Sequence, residues 1–168
     1  MATTLFLGGA RSGKSRLAQT AAEGCDGPLR YLATAEAHDD EMCERIARHR
    51  ADRDARWTTV DCPLALPEAI AANGEAVIVV DCLTLWLSNL MLGDHDIEGR
   101  TADLGTALSA AKAPVFVVSN EVGMGIVPAH PLGRRFRDAA GRLNQAVAGI
   151  ADASYLVVAG LVLPLRRF

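Results

Sequence analysis

The segment at residues 8–15 has the residue types that bind a nucleoside triphosphate. It reads GGARSGKS, a glycine followed after four residues by Gly-Lys-Ser, which is the pattern of a phosphate-binding P-loop. Backbone N–H groups of such a loop surround a triphosphate, Lys14 would neutralise the outer phosphates during catalysis, and the Ser15 hydroxyl would bind Mg²⁺. The residues predicted to contact the nucleotide here are Gly8, Gly9, Ala10, Arg11, Ser12, Gly13, Lys14 and Ser15.

Asp81 is a second candidate ligand for the same cation. It ends the strand-like run AVIVVD, and in P-loop proteins a carboxylate at the end of a second buried strand completes the Mg²⁺ site. An aspartate at a strand-to-helix junction can also cap the following helix, here LTLWLSNLML. The two roles are compatible, so the sequence predicts a cation site formed by Ser15 and Asp81, with helix capping as the alternative.

His49 is the candidate nucleophile among the four histidines. On a helix predicted for residues 39–53, Met42, Ile46 and His49 share one face. A neutral imidazole can attack a phosphorus atom when neighbouring arginines hold the phosphate oxygens and keep the imidazole pKa low. From spacing alone, a histidine packed at the edge of a solvated, arginine-rich face is the more common arrangement.

Further charged residues follow the strand predicted for residues 114–119. Glu121 lies in the loop NEVGMGIVPAHP, and α/β proteins place binding residues at strand ends, so it would lie near the phosphates; an exposed glutamate in a turn is the alternative. Arg134, Arg135 and Arg137 on the next helix could clamp a second anionic group, although such a trio more often forms a solvated face.

Strand and helix patterns alternate along the chain. This alternation predicts a P-loop NTPase-type, three-layer α/β fold, in which helices flank a mainly parallel sheet. Residues 1–168 are expected to form a single domain. The predicted strands are residues 4–8, 28–34, 57–61, 76–81, 114–119 and, as the last clear strand, 154–160. The predicted helices are residues 14–23, 39–53, 63–72 with an interruption at Pro67, 83–92 and 133–151, and a flexible connection is predicted at residues 93–100.

The composition argues against several classes of protein. A net charge of −3 gives no general basic field for nucleic acid or for an anionic membrane surface. No run reaches about 18 apolar residues and no leader-like segment precedes the first glycines, so we expect a cytoplasmic protein without membrane insertion. Neither a zinc site nor a disulfide framework is indicated, because the cysteines include no CxxC pair. The expected reduced thiols are Cys25, Cys43, Cys62 and Cys82.

Four segments together resemble one enzyme family over most of the chain. They are LGGARSGKSR, YLATAEAHDDEMCERIARHRADRDARW, VDCLTLWLSNL and VSNEVGMGIVPAHPLGRRFRDAAGRLNQAVAGIAD. The family is that of the bifunctional adenosylcobinamide kinase/adenosylcobinamide-phosphate guanylyltransferases of cobalamin biosynthesis. The resemblance implies phosphorylation of adenosylcobinamide by a nucleoside triphosphate, ATP or GTP, with Mg²⁺, and then transfer of GMP from GTP to the product, releasing pyrophosphate.

The resemblance also assigns roles to individual residues. It makes His49 the carrier of a covalent GMP intermediate, which reverses the preference drawn from spacing. Family members form trimers, so a homotrimer is expected. Asp61 stands where the family often has Glu, and the C-terminal segment departs from the family pattern. The further nucleotide contacts that the resemblance implies are Thr34, Ala35, Glu36, Arg50, Ala51, Asp52, Arg53, Asp61 and Asp81.

Two other functions remain open from the residues. A monofunctional small-molecule kinase would need Lys14, Ser15 and Asp81 but not His49. A GTP-gated switch would hydrolyse GTP slowly and release its nucleotide on contact with a partner. The chain has no NKxD motif for reading guanine, which makes the switch the weaker alternative.

Overall fold

A seven-stranded sheet flanked by helices forms the protein. The structure is a computed structural model and describes residues 2–35 and 55–166. The strands are β1 (Thr3–Gly8), β2 (Leu29–Ala33), β3 (Trp57–Asp61), β4 (Val77–Asp81), β5 (Val115–Asn120), β6 (Ala153–Val158) and β7 (Leu161–Leu165). The helices within the described ranges are α1 (Lys14–Glu23), α2 (Leu66–Ala71), α3 (Leu83–Leu92), α4 (Ile97–Ala110) and α5 (Pro131–Ile150).

The sheet is parallel except at one edge. Its strand order is β3-β2-β4-β5-β1-β6-β7, and only β7 runs antiparallel to its neighbour. The carboxyl ends of β1 to β6 therefore meet along one edge, which is where open parallel sheets bind ligands. The predicted α/β fold with a mainly parallel sheet is confirmed.

Helices cover both faces of the central strands, which explains their nearly continuous apolar sequences. Val77, Ile78, Val79 and Val80 of β4 are all buried. One core cluster packs β-strand side chains against α3, α4 and α5, and its largest fully buried member is Trp86. The other cluster packs strand side chains against α1. Helix α1, which carries the P-loop lysine and serine, thus packs on the face of the sheet that carries Tyr31 and Val79.

Two predictions in the middle of the chain are wrong. Pro67 does not interrupt a helix but lies in the first turn of α2, where its missing N–H group is not needed. The predicted flexible connection at residues 93–100 is in fact helical from Ile97 onward. Asp96 begins that helix, because its Oδ1 accepts a hydrogen bond of 3.0 Å from the Gly99 N–H.

The strand predicted at residues 154–160 is not the last one. A two-residue turn at Ala159 and Gly160, both with positive φ (51° and 79°), reverses the chain into β7. Two positive φ values are typical of the turns that join antiparallel strands tightly. Separately, no helix within residues 2–35 and 55–166 is both long and apolar enough to cross a membrane.

Candidate active site

The P-loop joins β1 to α1, as predicted. Gly8 ends β1, and a Cβ atom there would lie 2.2 Å from the carbonyl oxygen of Val157 on β6, so only glycine allows the two strands this close. Gly13 precedes α1 with φ 99°, a left-handed conformation that favours glycine. Two glycines of the motif are therefore required by the fold of the loop itself.

Lys14 is buried and surrounded by oxygen atoms of its own loop. Its side-chain Nζ donates hydrogen bonds to the carbonyl oxygen of Gly9 at 2.6 Å and to Oγ of Ser12 at 3.4 Å. These neutral oxygens solvate the buried charge, and phosphate oxygens would form stronger, charge-assisted bonds with the same ammonium group. The geometry therefore suits an anionic ligand in the loop.

Neighbouring segments hold the loop on two sides. The Gly160 N–H, in the turn before β7, donates to the Ser12 carbonyl oxygen at 2.8 Å. The Glu121 N–H, just after β5, donates to the Gly8 carbonyl oxygen at 3.1 Å. The loop is thus preorganised by strands that the sequence motif does not include.

Asp81 lies at the same edge of the sheet as the P-loop. It ends β4, which is separated from β1 only by β5, so the two strand ends are about 10 Å apart at the usual strand spacing. Cys82 is the residue that precedes α3, and no side chain caps this helix, so Asp81 does not have the alternative capping role. Its Oδ2 instead accepts a hydrogen bond from the Tyr31 hydroxyl.

The residues at this edge fit a magnesium ion. Mg²⁺ prefers oxygen ligands and usually takes only one or two from the protein, completing its shell with water and substrate phosphates. Ser15 in the first turn of α1 and Asp81 supply a hydroxyl and a carboxylate, and α1 packs on the face of the sheet that carries Tyr31 and Val79. Within the described ranges, no group of three His, Cys, Asp or Glu residues could hold a metal ion.

Thr34 fixes the backbone that follows Asp81. Its Oγ1 accepts from the Cys82 N–H at 2.8 Å and donates to the Cys82 carbonyl oxygen at 2.7 Å. Asn89 of α3 in turn donates to the Thr34 carbonyl oxygen at 2.8 Å. The buried Thr34 side chain is therefore engaged by protein atoms, and a nucleotide contact of Thr34 stays a prediction.

A second polar network fixes the end of β5, between the P-loop strand and Asp81. The Asn120 N–H donates to Oγ1 of Thr84 on α3 at 2.8 Å, and its carbonyl oxygen accepts from Nδ2 of Asn144 on α5 at 3.1 Å. Oδ1 of Asn144 also accepts from Oγ of Ser119 at 2.6 Å. Sequence reasoning missed these residues, although an asparagine on the apolar face of a predicted helix, as Asn144 is beside Leu143 and Val147, is a signal that could have found one of them.

The remaining predicted residues fall into two groups. Ala35 directly follows Thr34, and Asp61 ends β3 with Ala33 as its register partner, so both lie at the carboxyl edge of the sheet. Their nucleotide contacts stay predictions. The predicted site residues that lie outside the described part of the chain are Glu36, His49, Arg50, Ala51, Asp52 and Arg53.

The charged residues after β5 are used largely for internal contacts. Oε1 of Glu121 accepts from the Gly123 N–H, and the Arg134 guanidinium donates to the carbonyl oxygens of Pro128 at 3.0 Å and Ala129 at 2.7 Å. Arg137 forms an ion pair of 3.2 Å with Asp138. Arg134 therefore braces the loop, and an anion clamp by the arginine trio gains no support from these contacts.

Cysteines in the described ranges are free thiols, as predicted for Cys25, Cys62 and Cys82. Burial, together with the negative charge of Asp61, raises the pKa of Cys62 to about 12. Burial and the neighbouring Asp81 raise the pKa of Cys82 to about 11. Both thiols are protonated at neutral pH, so they are unsuited to act as nucleophiles beside the site. Cys43 lies outside the described residues.

Solved structures similar to this chain share its fold at low sequence identity. A protein of Pyrococcus horikoshii OT3 superposes with a TM-score of 0.54 at 9% identity, covering 97% of this chain and 85% of that one. A type III secretion ATPase of pathogenic bacteria gives 0.53 at 12% identity, covering 97% and 56%. EscN of enteropathogenic Escherichia coli gives 0.52 at 13% identity, covering 94% and 43%. These similarities show that the chain shares the fold of these proteins.

Curated relatives match the chain almost from end to end. The bifunctional adenosylcobalamin biosynthesis protein CobP of Pseudomonas aeruginosa is 46% identical, covering 96% of each chain. The proteins named CobU in Escherichia coli and Salmonella typhimurium are 40% and 39% identical, each covering 96% of this chain and 98% of the relative. Residues 4–165 match the family described as cobinamide kinase / cobinamide phosphate guanyltransferase. The chain therefore belongs to the cobinamide kinase / cobinamide phosphate guanyltransferase family.

Proposed function

We propose that the chain phosphorylates adenosylcobinamide and then transfers GMP from GTP to the resulting phosphate. The family supports both reactions in one chain. The observation that carries the proposal is the arrangement of Lys14 in a braced P-loop with Asp81 two strands away at the same edge of the sheet. This arrangement suits a nucleoside triphosphate held by its phosphate tail, which both reactions require.

In the kinase step, the substrate hydroxyl oxygen attacks the γ-phosphorus of the triphosphate. The bond between the γ-phosphorus and the β,γ-bridging oxygen breaks, the nucleoside diphosphate leaves, and the hydroxyl proton is released to water. Lys14 moves its hydrogen bonds from Gly9 and Ser12 to the phosphate oxygens, where it balances the charge that develops in the transition state. Backbone N–H groups at the start of α1 contribute in the same direction.

In the guanylyl step, an imidazole nitrogen of His49 attacks the α-phosphorus of GTP. The bond to the α,β-bridging oxygen breaks, and pyrophosphate leaves from the P-loop. An oxygen of adenosylcobinamide phosphate then attacks the same phosphorus, the N–P bond breaks, and His49 is regenerated with adenosylcobinamide-GDP as the product. The P-loop thus holds the transferred end of the triphosphate in one reaction and the leaving group in the other.

Ser15 and Asp81 would hold the magnesium ion. When bound, the ion neutralises phosphate charge. Tyr31 and Thr34 orient the carboxylate and the peptide that follows it, so the protein groups are set before the nucleotide arrives.

The test is covalent labelling with GTP carrying a radioactive α-phosphate. The wild-type protein, with Mg²⁺, is expected to retain label after denaturation, and the label should be lost in acid and stable in alkali, as for a phosphoramidate. The His49→Ala variant should retain none but should still phosphorylate cobinamide. His95→Ala is the matched control, because His95 is an exposed histidine between α3 and α4, and it should label like the wild type.

Each contrary result has a distinct meaning. Label on the His49→Ala variant would reject His49 as the nucleophile. No label on the wild type, with the kinase step intact, would reduce the function to that of a monofunctional kinase. Binding and slow hydrolysis of GTP without transfer to cobinamide would favour a nucleotide switch.

A further inference from the structure

We propose that Tyr31 is a positioning residue that orients Asp81 for the cation of the bound nucleotide. The inference rests on the proposed function, because it takes Asp81 as a cation ligand. It goes beyond that function in naming a residue outside the P-loop and not among the predicted site residues.

The contact between the two side chains is direct. The Tyr31 hydroxyl donates a hydrogen bond to Oδ2 of Asp81, across 50 residues of sequence. Within the described part of the chain, Oδ1 of Asp81 accepts no hydrogen bond. One carboxylate oxygen is therefore engaged by a neutral donor and the other is left for a cation.

The strand register explains how Tyr31 reaches the carboxylate. On β2, Tyr31 pairs with Val79 of β4, while Asp81 pairs with Ala33. Tyr31 and Asp81 are thus diagonal neighbours on one face of the sheet, a separation that a long aromatic side chain can span. A shorter hydroxyl side chain at position 31 would not reach.

The tyrosine ring is held in place by its surroundings. Its side chain is buried, and the ring packs edge-on against Trp57 of β3 with 6.2 Å between ring centroids. The indole Nε1 of Trp57 donates to Oε1 of Glu23 at 3.4 Å. A fixed ring gives the hydroxyl one position, so the carboxylate it binds is oriented before a cation arrives.

The chemistry favours a phenol in this place. A lysine or arginine would bind the carboxylate more strongly, but its positive charge would repel the cation. A neutral hydroxyl orients the carboxylate without that repulsion. Without the Tyr31 hydroxyl, the Asp81 carboxylate should be free to rotate. Metal binding would then lose affinity, because it would have to restrict that rotation at a cost in side-chain entropy.

The experiment compares nucleotide affinity with and without metal in Tyr31→Phe. Calorimetry with α,β-methylene GTP, whose α,β-bridge cannot be cleaved, gives one dissociation constant with excess Mg²⁺ and another with EDTA. The dissociation constant in EDTA divided by the dissociation constant in Mg²⁺ measures how much the metal strengthens nucleotide binding. We expect this ratio to fall by up to about tenfold in Tyr31→Phe, equivalent to about 1.4 kcal/mol, while affinity in EDTA is unchanged.

Tyr155→Phe is the matched control, because the chain has only two tyrosines and the ring of Tyr155 stacks on Phe6 at 5.6 Å, away from Asp81. This variant should keep the wild-type ratio. If the Tyr31 hydroxyl had only a structural role, Tyr31→Phe would lower the melting temperature and change both affinities equally, and the ratio would stay the same. An unchanged ratio in Tyr31→Phe would overturn the inference.

Asp81→Asn separates this inference from the proposed function. If Asp81 binds the cation, the asparagine variant loses the metal-dependent gain in affinity. Its ratio of dissociation constants is then the lowest value that Tyr31→Phe could reach. Should Asp81→Asn keep the full gain, the assignment of the cation ligand is wrong and the inference about Tyr31 fails with it. A loss in Asp81→Asn with none in Tyr31→Phe overturns the Tyr31 inference alone.

Discussion

A buried ammonium group needs oxygen atoms around it, and Lys14 finds them in its own loop. The hydrogen bonds to Gly9 and Ser12 keep the charge satisfied before any nucleotide binds. The same oxygens are easily exchanged for phosphate oxygens, because they are neutral and belong to a loop held by Gly160 and Glu121. The residue proposed to bind phosphate is therefore oriented in advance.

Lys14→Met should lower the rate of cobinamide phosphorylation by at least about 100-fold, because methionine keeps the apolar stem but loses the charge that stabilises the transition state. The chain has only one other lysine, the exposed Lys112, and Lys112→Met should act like the wild type. Steady-state kinase rates of the three proteins test this expectation. A loss of less than about fivefold in Lys14→Met would contradict the assigned role of the lysine.

Among the elements, a bidentate ion pair joins α2, which was predicted with an interruption, to α4, which was not predicted. Arg100 of α4 donates from both terminal nitrogens to Glu68 of α2, each at 2.7 Å, and also to the carbonyl oxygen of Leu64 at 3.0 Å. The hydrogen bond from Arg100 is the main cause that lowers the pKa of Glu68. Glu68 is exposed and Arg100 is half-buried, so water screens the pair and its contribution to stability should be modest.

Glu68→Gln should lower the free energy of unfolding at pH 7 by about 0.2–1 kcal/mol. Because the pKa of Glu68 is lower in the folded than in the unfolded protein, the charged pair stabilises the fold fully above the unfolded value. That contribution disappears as the pH falls through the lower, folded value. The difference between wild type and variant should therefore shrink as the pH is lowered below the ordinary glutamate value of about 4.5.

Urea unfolding at several pH values measures this difference. Glu75→Gln, at an exposed glutamate beyond α2, is the control and should change the free energy of unfolding at pH 7 only slightly. A difference for Glu68→Gln that stays constant from pH 7 to pH 3 would mean that the ion pair does not stabilise the contact between α2 and α4.

At the scale of the whole molecule, the sheet ends in an edge strand whose side chains are all exposed. Along β7, Leu161 is 75% exposed, Leu163 is 57% exposed and Val162 is 44% exposed. Apolar edge strands promote association with other chains unless they are covered. Together with the family resemblance, this surface favours the homotrimer, which stays a prediction.

Sedimentation equilibrium at micromolar concentration should therefore give three times the mass of 17.8 kDa for the wild type. Leu163→Glu should shift the population towards the monomer, because a charge would be buried if β7 lies in the subunit contact. Leu92→Glu is the control, since Leu92 is 70% exposed at the end of α3, far along the chain from β7. A trimer that Leu163→Glu leaves intact would place the subunit contact elsewhere.

The local parts of the fold and site could be predicted from sequence because short-range physics decides them. The glycines, lysine and serine of the P-loop act within eight residues, and AVIVVD indicates a strand buried on both faces wherever it pairs. The last strand was missed because Ala159, rather than glycine, has a left-handed φ in the turn before it, so the sequence has a weak turn signal there. Helix α4 was not predicted, and its first turn was assigned to a flexible connection because the capping residue Asp96 stands among other polar residues typical of loops.

Residue types and their spacing predicted a P-loop, a carboxylate at a strand end and an α/β sheet in one chain. The strand order, which brings Gly8 and Asp81 to the same edge with β5 between them, emerged only from the fold. The fold also decided which side chains hold the site: Tyr31 reaches Asp81 across 50 residues, Thr34 reaches Cys82 across 48, and Ser119 reaches Asn144 across 25. Such contacts depend on the register and packing of elements distant in sequence, and no local pattern of residues specifies these.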